Sequence, residues 1–139
     1  VRAISIKQPW AWAILYAGKR VENRSREVPW SSAIGTTVLI HASAEVTTTE
    51  YLDASRFIRS VTGGYPPDRA MIERGGIVGK CRIWGTRTLG QVNRLCNDKG
   101  TRDWAFGPIC ILLDEVVELP FVPCKGRQGL WTVPPELWQ

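Results

Sequence analysis

Apolar positions recur along this chain first at period two, then at period three to four, then in unbroken runs, and each change of period marks an element. Arg2 to Ile6 alternates and reads as a first strand. Gln8-Pro9-Trp10 opens a helical stretch through Ala17, in which Trp10, Ala13, Ile14 and Ala17 fall at i, i+3, i+4 and i+7. Pro9 stands where a first helical turn tolerates it, and Gly18 fits a C-terminal stop. Lys19 to Arg24 is polar but extended in character and runs into a loop, Ser25 to Gly35. Thr36 to Ala42 is β-branched, bounded by small residues, and predicts a buried strand.

Thr47-Thr48-Thr49-Glu50 resembles a helix start with a capping residue, and Tyr51, Leu52, Ser55, Phe57, Ile58 and Val61 continue it at helical period. Gly63-Gly64-Tyr65-Pro66-Pro67 ends that helix, and a short helical piece is expected around Arg69 to Arg74. Gly75-Gly76 leads into a strand from Ile77 to Arg87, after which Asn93 to Asp103 reads as irregular. Pro108 to Leu119 is the longest apolar strand candidate, stopped by Pro120, and Leu130 to Val133 reads as a last short strand. Strands outnumber helices and no regular crossover helices separate them, which argues against a doubly wound fold. The expectation is one α+β domain over 1–139, a small mixed β-barrel flanked by two or three α-helices.

Charge adds a direction to this picture. Eighteen Lys and Arg against thirteen Asp and Glu leave a net charge of +5, which favours an anionic partner. The surplus is mostly arginine, which forks onto phosphates and stacks on bases better than lysine. No apolar run approaches the ~18 residues of a membrane span, and Val1 to Ile6 reads as strand rather than signal peptide, so the expected setting is the cytosol. Cys81, Cys96, Cys110 and Cys124 form no C-x-x-C pair, and the one histidine, His41, is distant from them; neither a metal nor another cofactor is expected. Cys81 and Cys110 lie in apolar strand-like runs and read as reduced core cysteines.

Seven tryptophans in 139 residues make a functional ring an expectation. Trp10 and Trp12, two apart on one short helix, point to opposite sides, so one of them is free for another task. Trp30 stands in a polar loop after Arg24 and Arg26 and reads as the ring best placed to stack on a base; Trp104 and Trp131 read as core. Gln8 either reads a base edge or caps the helix. Lys7 stands at the strand-to-helix junction, where outward N–H groups suit a phosphate. His41 ends a buried strand beside Ser43 and serves as a base, a phosphate ligand or a structural ring. Lys125, Arg127 and Gln128 lie in a glycine-flanked loop able to approach phosphates.

Lys19, Glu22 and Arg24 fall within six residues after a helix end. An extended strand puts Arg20, Glu22 and Arg24 on one face, while a turn after Gly18 brings Lys19 round to Glu22. Such a stretch is either a solvated strand with a weak ion pair or a site.

Five segments, in order, carry a resemblance to a family. Ser5-Ile6-Lys7-Gln8-Pro9-Trp10-Ala11 and Ala17-Gly18-Lys19-Arg20-Val21-Glu22-Asn23-Arg24-Ser25 resemble the opening of ASCH domains, with a QPW-type helix start and a K-x-x-E-x-R signature. Leu39-Ile40-His41-Ala42-Ser43, Gly75-Gly76-Ile77-Val78-Gly79 and Lys125-Gly126-Arg127-Gln128-Gly129-Leu130-Trp131 are similar to later family segments. The resemblance implies a PUA-like barrel with the K-x-x-E-x-R segment lining a cleft beside the first helix. Family members include binding modules, a ribonuclease and an amidohydrolase acting on acetylcytidine. The catalytic lysine of that amidohydrolase falls on Lys19, but Glu22 stands where it carries a threonine.

Two functions follow as expectations. The first is binding of single-stranded RNA or a modified nucleobase, with DNA also possible, by a monomer through Lys7, Gln8, Trp10, Arg24, Ser25, Arg26, Trp30, His41, Lys125 and Gln128. The second is metal-independent hydrolysis of an RNA phosphodiester or an acylated nucleobase by Lys19 and Glu22, helped by Ser5, Ser25 or His41. A protein-interaction module is the third and weaker reading.

Overall fold

The computed structural model describes residues 1–138. Its elements run β1 (Arg2–Ile6), α1 (Trp10–Tyr16), β2 (Val21–Arg24), a 3-10 turn (Trp30–Ala33), β3 (Thr36–Ala42) and α2 (Thr48–Thr62). They continue with β4 (Gly76–Thr88), α3 (Leu89–Leu95), α4 (Lys99–Arg102), β5 (Ile109–Pro123) and β6 (Leu130–Thr132). The strands form one six-stranded sheet in the order β2-β5-β4-β3-β1-β6. Every neighbour is antiparallel except β1 and β3, which run parallel because α1 and β2 intervene as a crossover.

β4 and β5 are too long to stay flat. Register shifts at Ile77/Gly79, Lys80/Arg82 and Ile83/Gly85 bend the pair and curl the sheet into a half-open barrel. Glu115 lies at one of these irregularities with φ 48°. This is the α+β architecture that the strand count predicts.

Three expectations about elements change. The strand at Pro108 continues through Pro120 to Pro123, because Pro120 falls across the irregularity opposite Val78, where no ladder hydrogen bond is needed. Asn93 to Asp103 is more regular than expected. Thr88 and Gln91 form a reciprocal capping box for α3, and Asp98 caps α4. Arg69 to Arg74 forms turns rather than a helix; the Arg69 guanidinium is drawn to the Val46 carbonyl and that of Arg74 to the Ala44 carbonyl.

The half-barrel is filled by Ile4, Ile6, Ile14, Val38, Ile40, Ile83, Ile111 and Leu113, with Cys81 among them. A second layer, on the far side of α1, joins Val21, Ile58, Val92, Trp104, Cys110 and Leu112. A third joins Ala3, Leu39, Ile77, Trp131 and Val133. Trp104 and Trp131 are therefore core residues, as expected.

α1 lies so close to β4 that a Cβ at Gly79 would come within 2.6 Å of Leu15 Cδ2 and 2.7 Å of the Val117 carbonyl oxygen. Gly79→Ala is expected to destabilise the fold by about 2 kcal/mol through overpacking. Gly90→Ala, on α3 where the nearest atom to an added Cβ is 4.0 Å away, is expected to stabilise by about 0.5 kcal/mol. Urea unfolding of both variants checks the pair; equal effects would contradict the close helix–sheet contact.

Candidate nucleic-acid interface

The site begins at the end of α1. Gly18 has φ 76°, in the region that glycine enters without steric cost, and it turns the chain so that the Lys19 N–H donates to the Ala13 carbonyl at 3.2 Å. The Lys19 side chain is thereby folded inward, 1% exposed, with Nζ 5.1 Å from the Trp10 ring centroid. β2 then pairs with β5, setting Glu22 opposite Ile111 and Arg24 opposite Ile109. Residues two apart on a strand share a face, so Glu22 and Arg24 meet.

The result is a three-member network in which Lys19 and Glu22 are buried and Arg24 is partly exposed. Lys19 Nζ stands 2.8 Å from Glu22 Oε1, and Arg24 Nη2 stands 3.0 Å from Glu22 Oε2. Arg24 Nη2 also donates to the Ser5 carbonyl at 2.8 Å, and its guanidinium lies 4.7 Å from the Trp30 ring centroid. Arg20, on the same strand face by alternation, takes no part: its guanidinium donates to the Ile14 and Lys19 carbonyls at 2.8 and 3.0 Å.

Burial acts to raise the Glu22 carboxyl, but the charges of Lys19 and then Arg24, with their hydrogen bonds, outweigh it and hold the group below its ordinary 4.5. Glu22 is therefore a carboxylate at neutral pH. Its low basicity makes it a poor proton acceptor for catalysis and a good fixed hydrogen-bond acceptor.

A cleft of about 620 Å³ opens over this network, with Ser5, Glu22 and Arg24 at its base and Trp10 in its lining. The opposite wall is built from β3 and the loop before β6. His41 pairs in register with Ser5 across the parallel β1–β3 ladder and is 2% exposed. Its Nε2 lies 2.9 Å from the Cys124 carbonyl, which only accepts, so Nε2 carries the proton. Nδ1 is buried without a partner among the described residues.

The loop itself is fixed to this ring. A Cβ at Gly126 would approach His41 Cε1 to 2.4 Å and Nδ1 to 2.5 Å, so only glycine lets the backbone rest on the imidazole. The Ser5 hydroxyl donates to the Arg127 carbonyl and accepts from Trp131 Nε1 at 2.9 Å, and the Ser5 N–H donates to the Gly129 carbonyl at 3.0 Å. Lys125, Arg127 and Gln128 are thus presented along the cleft by an anchored loop.

Of the expected site residues, the cleft gathers Lys7, Trp10, Glu22, Arg24, His41, Lys125 and Gln128. Lys7 is at the rim and paired with Glu50 at 2.6 Å; hydrogen bonds from Lys7 and the Thr47 backbone pull the Glu50 carboxyl down to about 2. Lys19 lies one layer behind, in contact with Glu22 rather than with the cleft. Between Trp10 and Trp12, the cleft takes Trp10; Trp12 packs beside Tyr16 with centroids 6.0 Å apart.

Four expected residues lie elsewhere. Trp30 is a core residue, 4% exposed, because the 3-10 turn folds its ring into the barrel and Arg24 covers it. Gln8 is a helix cap: Oε1 accepts from the Trp12 N–H and Nε2 donates to the Glu73 carbonyl, both at 2.9 Å. Ser25 and Arg26 are exposed beyond the end of β2 and outside the cleft lining.

The cleft also takes in Asn23, Ser43 and Glu45. Asn23, inside the K-x-x-E-x-R segment, ties β2 to the loop before β5. Its Oδ1 accepts from the N–H groups of Phe106 and Gly107, each at 2.9 Å, and its Nδ2 donates to the Trp104 carbonyl at 3.1 Å. That loop sets Phe106 against Trp10, centroids 5.9 Å apart. Glu45 left no signal in the sequence; only folding brings it near the cleft. Among the described residues, no group of three or more His, Cys, Asp or Glu side chains is placed to hold a metal ion, and no helix is long and apolar enough to cross a membrane.

No family model matches the chain, and no curated protein does. Among solved structures, the fold is similar to the crystal structure of a serine-to-alanine mutant of ZmASCH from Zymomonas mobilis, with a TM-score of 0.53 and 16% sequence identity. The likeness covers 97% of this chain and 89% of that one. The architecture, an α+β half-barrel with flanking helices, is therefore similar to that of this ASCH protein.

Lys19→Met removes one partner from a buried carboxylate and is expected to cost about 3 kcal/mol in urea unfolding. Lys19→Met/Glu22→Gln is expected to recover at least half of that. Because the folded-state Glu22 carboxyl is held below 4.5, its stabilisation is fully present above about pH 4.5 and is lost as pH falls through the lowered value. Unfolding free energies from pH 7 to 3 should therefore fall less steeply for Glu22→Gln than for the wild type; parallel curves would contradict the network.

Proposed function

We propose that this chain is an ASCH-family module, acting as a cytosolic monomer, that binds single-stranded RNA or a modified nucleobase in the cleft over Glu22. The observation that carries the reading is the meeting, in one cleft of about 620 Å³, of the Trp10 ring with Lys7, Arg24, Lys125 and Arg127. That volume falls in the usual range of sites for small ligands, about 300–1,000 Å³. The ring offers a stacking surface of the sort unpaired bases use. The four cations against two lining carboxylates, Glu22 and Glu45, favour a strand whose phosphates lie along the rim.

Hydrolysis by Lys19 and Glu22 is the second reading, favoured by the burial of an ionised pair next to a cleft. The chemistry weighs against it. Glu22 is a weak base, Lys19 is behind the cleft, and the Ser5 hydroxyl already donates to the Arg127 carbonyl.

Fluorescence anisotropy of an end-labelled single-stranded RNA, followed over time in chelator, tests the reading. A steady rise that weakens with salt is expected, with a log–log slope of about −2 if the three rim cations Lys7, Lys125 and Arg127 meet phosphates. Lys125→Gln/Arg127→Gln, on an exposed loop, should reduce that slope by about two-thirds. A fall below the free-RNA baseline would favour the hydrolase. No change would remove binding of an RNA strand.

A further inference from the structure

Two cleft-lining residues each hold a buried polar atom with no partner among the described residues, Arg24 Nε and His41 Nδ1. Buried polar groups are paired in almost all native structures, so two orphans in one cleft point to a ligand. Both residues adjoin Ser5. Arg24 Nη2 donates to its carbonyl, and His41 is its register partner on β3. The two orphans are of opposite kind. Arg24 Nε–H can only donate, and in the neutral imidazole whose Nε2–H is given to the Cys124 carbonyl, Nδ1 can only accept.

We infer that the base of the cleft takes the hydrogen-bonding edge of an unpaired nucleobase, with Arg24 Nε–H donating to a ring or carbonyl acceptor and His41 Nδ1 accepting an N–H. The inference rests on the reading of the cleft as a nucleic-acid site and names which part of the strand goes deepest. A phosphate or carboxylate offers acceptors only. It would leave Nδ1 unpaired and would bring a negative charge to Glu22, whose carboxylate stays ionised. A base edge places a donor next to an acceptor, matching both orphans, and it is neutral. In a duplex that edge is already used, so the pairing selects unpaired strands. The cations of the rim, Lys125 and Arg127, are left for the phosphates.

The chain has a single histidine, so its side-chain nitrogens give an unambiguous pair of signals in a 15N-labelled sample. The probes are the four ribonucleosides, N4-acetylcytidine and ribose 5-phosphate, added separately while tryptophan fluorescence reports occupancy. At least one nucleoside is expected to quench fluorescence and move the Nδ1 signal toward a hydrogen-bonded acceptor while the Nε2–H signal stays in place. Methylation of the ring N–H of a binding nucleoside that has one, or dimethylation of the exocyclic amine otherwise, is expected to weaken it about tenfold or more. Ribose 5-phosphate is expected to leave Nδ1 unmoved.

A nucleoside that binds without moving Nδ1, or ribose 5-phosphate that moves it equally, overturns the inference alone. Failure of every nucleoside alongside RNA binding in anisotropy also overturns it while the RNA reading stands. Failure of nucleosides and RNA together removes both.

Discussion

Taking a carboxylate out of water costs several kcal/mol unless cations and hydrogen-bond donors replace its hydration. Glu22 is 7% exposed, and the local structure around it supplies that replacement from both sides. A left-handed glycine at the end of α1 delivers Lys19 from below, and strand alternation delivers Arg24 from the same face of β2. Neither cation would be held inward without the carboxylate, and the carboxylate would not stay ionised without them. The network also joins elements distant in sequence, since Arg24 reaches the β1 backbone and Lys19 supports the ring of Trp10. Helix, edge strand and central sheet are locked together at the point where the cleft begins.

The second wall depends on a different contact, that of a glycine backbone with an imidazole face. His41 is held by the Cys124 carbonyl and flanked by the Trp131 ring at 5.6 Å, and Gly126 lies flat on it. Ser5 stitches this wall to the first, because its carbonyl takes Arg24 and its hydroxyl and N–H hold the loop at Arg127 and Gly129. A cleft whose donors and acceptors are already held in place would need little reordering on taking up a ligand, which favours affinity.

Much of the fold was legible because local rules and global packing agree. Thr36 to Ala42 is a strand by β-branching and also by burial, and Thr47 with Glu50 forms the capping box that its spacing announces. The misreadings come where a single residue was read without its partner. Pro120 stops a strand only where a ladder N–H is needed, and it falls in a bulge of its own strand, three residues of β5 against Val78 alone, where none is needed. The pairing of Lys19 with Glu22 was legible from the turn at Gly18, but not its burial, since that is set by how α1 and β2 pack on the sheet. Trp30 shows the limit most plainly. A polar neighbourhood in sequence says nothing of a 3-10 turn that carries the ring into the core, whereas Trp10, on an apolar helix face, reaches the cleft. Gln8 looked equally suited to a base or a cap, and proximity to its own helix decided for the cap.

On the proposed reading, the Lys19–Glu22–Arg24 network forms the base of a cleft that takes a nucleobase. The most direct measurement is a crystal structure of the protein with a short single-stranded RNA. One unpaired base seated beside Trp10, its edge toward Glu22, Arg24 and His41 and its phosphates toward Lys125 and Arg127, is the expected result. An oligonucleotide bound on another surface with the cleft left open, or one entering the cleft by its phosphates, would contradict the claim.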